Sequence, residues 1–130
     1  MTEPTLVYLG YSPWSAKARW ALAHHEIAYR KVHYVPMIGE PALRWRMRRL
    51  TGRVTVPVWI DGERVLTDSL EIAREAERLG HGSPLFPAGA DADVEAWNDL
   101  GERLLAVGRA RIVKASRAHE DLRLELVPPP

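Results

Sequence analysis

The chain has 130 residues, 18 basic and 17 acidic, with a formal net charge of +1 and no cysteine. The length suits one domain of ordinary size with a modest remainder. The balanced charge gives no footing for nucleic acid as the main partner, and no apolar run approaches the ~20 residues of a membrane helix. In chain order, Met1-Thr2-Glu3-Pro4 lacks the basic opening of a signal peptide, so a cytoplasmic protein is expected. Thr5-Leu6-Val7-Tyr8-Leu9 reads as a buried strand, broken by Gly10-Tyr11-Ser12-Pro13. A helix is predicted over Ser15 to His25, with Ala18, Ala21, Leu22 and His25 on one face. Tyr29 to Val35 places Val32 and Tyr34 between Lys31 and His33, the alternation of a partly exposed strand. Pro36 to Glu40 reads as a loop, Pro41 suits a first helical position, and Leu43, Met47 and Leu50 form a helical stripe. Val56 to Ile60 and Arg64 to Thr67 are predicted as hairpin strands, with Asp61-Gly62 at the centre of a type I′ turn. Asp68 is a natural N-cap, with Glu71 placed to complete a capping box. Ile72, Ala73, Ala76 and Leu79 mark the inner face of the following helix, which Gly80 should stop.

The order is βαβ, helix, ββα. Its opening demands a right-handed crossover and a parallel strand pair, and the hairpin adds an antiparallel pair. The fold class is therefore α/β, a thioredoxin-like domain over residues 1–80. His81 to Ala92, rich in glycine, proline and small residues, reads as a linker. Asp91 or Asp93 is expected to cap a further helix running to about Ala118, with Trp97, Leu100, Leu104 and Ile112 on one side. The tail Leu122 to Pro130 alternates apolar and charged residues and ends on three prolines. Residues 93–130 thus form a partial C-terminal helical region.

The chemistry is suggested first by the helix start at Asp68. The N–H groups of a first helical turn lack internal partners and carry the positive end of the dipole, so a carboxylate docked there is stabilised. A small carboxylate-bearing ligand is expected. The absence of cysteine removes disulfides, zinc knuckles and protein thiols, so any thiol chemistry must use a thiol carried by the ligand. His24 and His25 point about 100° apart on a helix and cannot chelate one ion from one face; no metal site is expected.

These residues resemble a known family. Tyr11-Ser12-Pro13-Trp14-Ser15-Ala16-Lys17-Ala18-Arg19-Trp20-Ala21-Leu22, then Thr55-Val56-Pro57-Val58, then Asp68-Ser69 look like the N-terminal domain of soluble glutathione transferases, over residues 4–80. The linker and following helix look like the start of the family's all-helical second domain, for which the remaining residues are too few. The resemblance implies glutathione as co-substrate, a small electrophile as second substrate or a peroxide to reduce, and a homodimer. It implies a cis bond before Pro57, with the backbone of Val56 pairing with the cysteinyl unit, whereas the residues alone read as an ordinary trans proline opening a strand. Asp68 and Ser69 would hold the γ-glutamyl group, and they read equally as a helix cap. Trp14 and, more weakly, Arg53 would join the glutathione site; Arg44, Arg46, Arg48, Arg49 and Arg53 otherwise read as a solvated basic face.

Two hydroxyls compete for the catalytic role. Ser12 precedes a helix N-terminus and would steady a thiolate through one O–H donor and the dipole, although Ser12 and Ser15 also read as caps with Pro13 in the first turn. Tyr8, at the end of the first strand, occupies the place of the hydroxyl in tyrosine-type relatives and otherwise reads as a core tyrosine. Glu26 stands where relatives often carry glycine. The reading is a glutathione transferase-like enzyme. The alternative is a non-catalytic interaction or assembly module of the same fold, while glutaredoxin-type disulfide reduction fails for want of a protein cysteine.

Overall fold

The computed structural model describes residues 3–36 and 38–119. The elements are β1 (Thr5–Tyr8), α1 (Pro13–His24), β2 (Arg30–His33), α2 (Glu40–Met47), β3 (Val58–Asp61), β4 (Arg64–Leu66), α3 (Ser69–Leu79) and α4 (Asp91–Ala118). The chain divides into two compact units between Leu85 and Phe86. The tail Leu122 to Pro130 and the opening Met1-Thr2 lie outside the described residues.

In the first unit the sheet runs β2-β1-β3-β4, with β1 parallel to β2 and antiparallel to β3, and β3 antiparallel to β4. Side chains alternate across the sheet. Val7 and Val58 face α2, whose Leu43 and Met47 complete a buried cluster with Val32, Val54, Val56, Ile60 and Val65 around it. Leu6 and Trp59, fully buried, face the other way, toward α1 and α3. Those two helices make the most extensive contact between elements in the unit. They meet through small side chains, Ser15, Ala18 and Ala21 on α1 and Ala73 and Ala76 on α3, with Leu22 and Ile72 filling between.

Several boundaries shift from the sequence expectations. Helix α1 begins at Pro13 because Ser12 is its N-cap, and proline is suited to a first helical position. The β2, β3 and β4 strands are shorter than predicted. The hairpin turn is displaced: Asp61 pairs with Arg64, leaving Gly62-Glu63 as the turn. Gly62 has φ 58 and Glu63 is not in the positive-φ region, the sign pattern of a type II′ turn rather than I′. Leu50 falls outside α2 and is 90% exposed, so the expected stripe ends at Met47. Leu79 is also exposed. Neither Asp91 nor Asp93 caps α4; Ala90 is the N-cap and both aspartates lie in the first turn, where their charge suits the dipole.

Gly80 does end α3, but through packing. Its φ is −105, and a Cβ there would lie 2.3 Å from the His25 carbonyl oxygen and 2.6 Å from its Cβ. His25, itself 1% exposed, accepts the His81 N–H on that carbonyl and hydrogen-bonds the His81 carbonyl through Nδ1 at 2.8 Å. His24 Nε2 reaches the Ser83 carbonyl at 2.9 Å. The paired histidines therefore hold the segment after α3 against the end of α1. Glu26, next in the chain, adopts φ 55, the left-handed region that costs a side-chain-bearing residue about 1–2 kcal/mol.

No local pattern marks Glu75 as buried. It is 4% exposed and takes a forked pair of hydrogen bonds from Arg78, at 2.7 and 2.9 Å, plus an ion pair from Arg64 of β4 at 3.1 Å. This contact ties β4 to α3. The Arg78 hydrogen bonds, assisted by the charges of Arg64 and Arg78, hold the Glu75 carboxyl below its ordinary value against the effect of burial.

Two predictions follow from this packing. Glu26→Gly should stabilise the chain by about 1 kcal/mol, whereas Gly80→Ala should destabilise it by more than that, both read from urea midpoints. Because the Glu75 carboxyl is lowered from 4.5 in the folded chain, its contribution is present at neutral pH and lost as pH falls below 4.5 through the native value. Stability should therefore fall more steeply with acid in the parent chain than in Glu75→Gln, which should already cost about 2 kcal/mol at pH 7. Parallel acid profiles would refute the pairing.

Candidate functional site

The strand register brings the candidate residues to one end of the sheet. β1 ends at Tyr8, and its antiparallel pairing with β3 runs as far as Val7 against Val58, so the Val56-Pro57 segment leading into β3 lies at the end of the sheet where β1 finishes. The β3–β4 register, Trp59 against Leu66, likewise carries Asp68 toward Pro57. β1 and β4 run in the same direction, so α1 and α3, which follow them, both start at this end. Ser12, Val56-Pro57 and Asp68-Ser69 therefore all lie toward the end of the sheet at which α1 and α3 begin. Positive potential from both dipoles converges there.

At the α3 start, Asp68 Oδ1 accepts the N–H groups of Leu70 at 2.9 Å and Glu71 at 3.1 Å, and Ile72 N–H is bonded to the Asp68 carbonyl. The N-cap expected at Asp68 is therefore present, but these bonds do not include the reciprocal one from the Glu71 side chain that a capping box needs. These bonds leave the Ser69 N–H as the remaining donor of the first turn. The Ser69 hydroxyl is 2% exposed and has no hydrogen-bond partner. A buried hydroxyl without a partner is rare, because leaving it unpaired costs about 1–3 kcal/mol. Ser69 thus presents two adjacent donors, N–H and O–H, the pairing a carboxylate fork accepts.

At the α1 start, Ser12 is 9% exposed and its Oγ accepts the Ser15 N–H at 3.4 Å. The hydroxyl is used as an acceptor, so its proton remains available for donation. Ser15 does not cap the helix as one reading of the sequence had it. It is fully buried and its Oγ accepts the Leu9 N–H at 3.1 Å, fixing the end of β1 to α1. Tyr8 is half-buried. Its ring meets His33 edge-on at 5.3 Å between centroids, and the Arg19 guanidinium lies 4.9 Å over it. Tyr11, in the intervening loop, is exposed; desolvation raises its phenol above the ordinary value, so it stays a neutral donor at physiological pH.

The Val56–Pro57 peptide bond is cis. Val56 precedes β3, outside the ladder, with its side chain against the α2-facing cluster. Trp14 is half-buried in the first turn of α1. Arg53 lies exposed in the irregular segment before Val56. The arginine that shapes this segment is Arg44, which donates to the carbonyls of Gly52 at 2.9 Å and Leu50 at 3.4 Å while paired with Glu40 at 2.7 Å. Sequence reading grouped it with a solvated basic face; its i, i+4 relation to Glu40 was the available signal. Among the described residues no group of three or more His, Asp or Glu side chains is placed to hold a metal ion.

The family model for the glutathione S-transferase N-terminal domain matches residues 11–79, more than half of the chain. The chain belongs to the glutathione S-transferase family. Solved transferase structures share its fold. A possible glutathione S-transferase from Rhodopseudomonas palustris is 23% identical with a TM-score of 0.63, covering 96% of this chain and 64% of that one. A glutathione transferase from Phanerochaete chrysosporium is 26% identical at a TM-score of 0.57, covering 75% and 46%. A rice glutathione S-transferase in complex with glutathione is 19% identical at a TM-score of 0.56, covering 92% and 50%. The chain thus spans between about half and two thirds of the length of these transferases. No curated protein matches the sequence.

The capping role of Asp68 is separable from its charge. Asp68→Ala should lower stability by about 1 kcal/mol, and Asp68→Asn, an equally good cap, should restore it; thermal melts of the two variants check this.

Proposed function

We propose that this transferase-family chain binds glutathione at the sheet end formed by Ser12, Val56-Pro57 and Asp68-Ser69. The buried, unpartnered Ser69 hydroxyl carries the reading. Beside the one first-turn N–H that Asp68 leaves over, it makes a cradle for the γ-glutamyl carboxylate, and the second carboxylate oxygen of Asp68 takes the ammonium. The backbone of Val56, outside the ladder, pairs with the cysteinyl unit in strand fashion. Trp14 and Arg53 complete the walls, Arg53 toward the glycyl carboxylate.

The thiol then lies over the α1 start. Ser12 donates its proton to the sulfur, and the dipole of α1 favours the charged form, lowering a thiol pKa from about 8.5 toward neutrality. The thiolate attacks an electrophile, or reduces a peroxide. The protein supplies position and charge stabilisation and makes no covalent bond itself. Tyr8 is the alternative donor. The domain reading that goes with this is a glutathione-binding domain over residues 1–80, a linker over 81–92 and a partial helical region over 93–130, in a cytoplasmic homodimer. No described helix is long and apolar enough to cross a membrane.

A second reading is favoured by one observation. None of the 28 residues of α4 is buried, and Trp97, Leu104 and Val107 are 74%, 64% and 57% exposed. A non-catalytic module that covers this face on assembly fits it.

Retention on immobilised glutathione separates the two. The parent chain should be retained and eluted by free glutathione. Ser69→Ala should melt at the parent temperature or slightly higher, since its hydroxyl has no partner to lose, yet pass through unretained. A folded parent chain that flows through leaves the assembly reading. If conjugation of an activated chloroarene is measurable, Ser12→Ala should lower kcat by about 10²-fold with Tyr8→Phe nearly silent; the reverse pattern moves the role to Tyr8.

A further inference from the structure

Two independent patterns run along α4. The first is charge. Residues 91–102 hold five acidic and no basic side chains, and residues 103–118 hold five basic and no acidic ones. The sign changes once, between Glu102 and Arg103. The helix dipole favours acid in the first turn and base in the last, but its effect fades within a turn of each end and does not reach the middle.

The second pattern is side-chain size. Trp97, Gly101, Leu104, Gly108, Arg111 and Ala115 are spaced alternately by four and three residues, the seam of a paired helix. Trp97 and Leu104 are exposed, as are Leu100 and Val107 on the flank of the same seam. No residue of α4 is buried, so among the described residues this stripe has no cover. Helices draw most of their stability from packing an apolar face, and α4 has yet to pack one. The glycines are the informative positions. Glycine inside a helix weakens it relative to alanine. A Cβ added at Gly101 or at Gly108 would meet nothing within 4 Å. Packing among the described residues therefore does not demand glycine at either place; a surface that closes on α4 from outside does.

The two patterns select the same partner. Antiparallel pairing of α4 with a second copy of itself sets Trp97 opposite Gly108 and Leu104 opposite Gly101, a large side chain over a notch at each such layer. Size alone fixes that register. Its two-fold axis then falls between Glu102 and Arg103, where the charge changes sign. Each acidic half lies along the basic half of the other copy, and Asp93 comes beside Lys114 on the flank of the seam. Arg111, within the seam, comes opposite Val94 and next to Asp93. A parallel pair would set acid on acid and base on base.

We propose that α4 is a homodimer interface, an antiparallel pair in which Trp97 and Leu104 of each copy seat on Gly108 and Gly101 of the other. This pairing specifies the interface of the homodimer proposed above and holds whether or not glutathione binds.

Sedimentation equilibrium of the full chain tests it. The parent chain should be dimeric at micromolar concentration. Gly108→Leu fills the notch and should weaken the dimer by about 100-fold. It also replaces glycine with a better helix former, so circular dichroism should show helix retained or increased. Asp93→Lys and Lys114→Asp should each weaken self-association by about 10-fold, because like charges then face each other across the seam. An equimolar mixture of the two should recover the parental affinity as a heterodimer. A monomeric parent, a dimer indifferent to Gly108→Leu, or a mixture that associates no more tightly than either variant alone would overturn the pairing. Any of these in a chain still retained on immobilised glutathione would do so while leaving the glutathione site standing.

Discussion

The close approach of α1 and α3 across small side chains is the constraint on which the rest depends. Alanine and serine at the contact let two helices lie over one narrow sheet. Both helices follow strands that run in the same direction, so both begin at the same end. Larger residues at Ala18 or Ala76 would push the axes apart and separate the two starts that flank Pro57. Packing at the centre thereby decides the electrostatics at the edge. The converging dipoles and the lone pair of donors at Ser69 follow from where the backbone of α3 begins.

Around that contact, side chains act as ties between elements. Ser15 joins the end of β1 to α1, Arg44 fixes the segment that leads to Val56, and Glu75 joins α3 to β4. Each tie is a buried or half-buried polar group with its partners in place. Ser69 is the contrast, a buried hydroxyl on the same scaffold with nothing to bond. It shares that lack of a partner with Trp59 Nε1 and His25 Nε2, and of the three it alone stands at a helix start.

Much of this was legible in the sequence. The period of Ala18, Ala21 and Leu22 marked the inner face of α1, and Asp68 announced the start of α3, because both signals are local. Asp61-Gly62 correctly signalled a hairpin yet misplaced its turn, since two turn types accept glycine and the ladder decides between them. Leu50 and Leu79 were read as core from spacing alone and proved exposed; spacing describes a helix face but not where the helix stops or what covers it. Glu75 and Ser15 were missed in their roles because their partners, Arg64 and Leu9, come from other elements. A buried carboxylate opposite an arginine on a neighbouring strand leaves no mark that one segment can show.

The imidazole pair at the base of α1 has a consequence for everything downstream. His24 and His25 grip the carbonyls of Ser83 and His81, so the chain departs from the first unit at a fixed anchorage. That anchorage is the trailing end of a 12-residue helix, about 18 Å of rise from Ser12. The serine-bearing rim and this anchorage thus stand at opposite ends of α1.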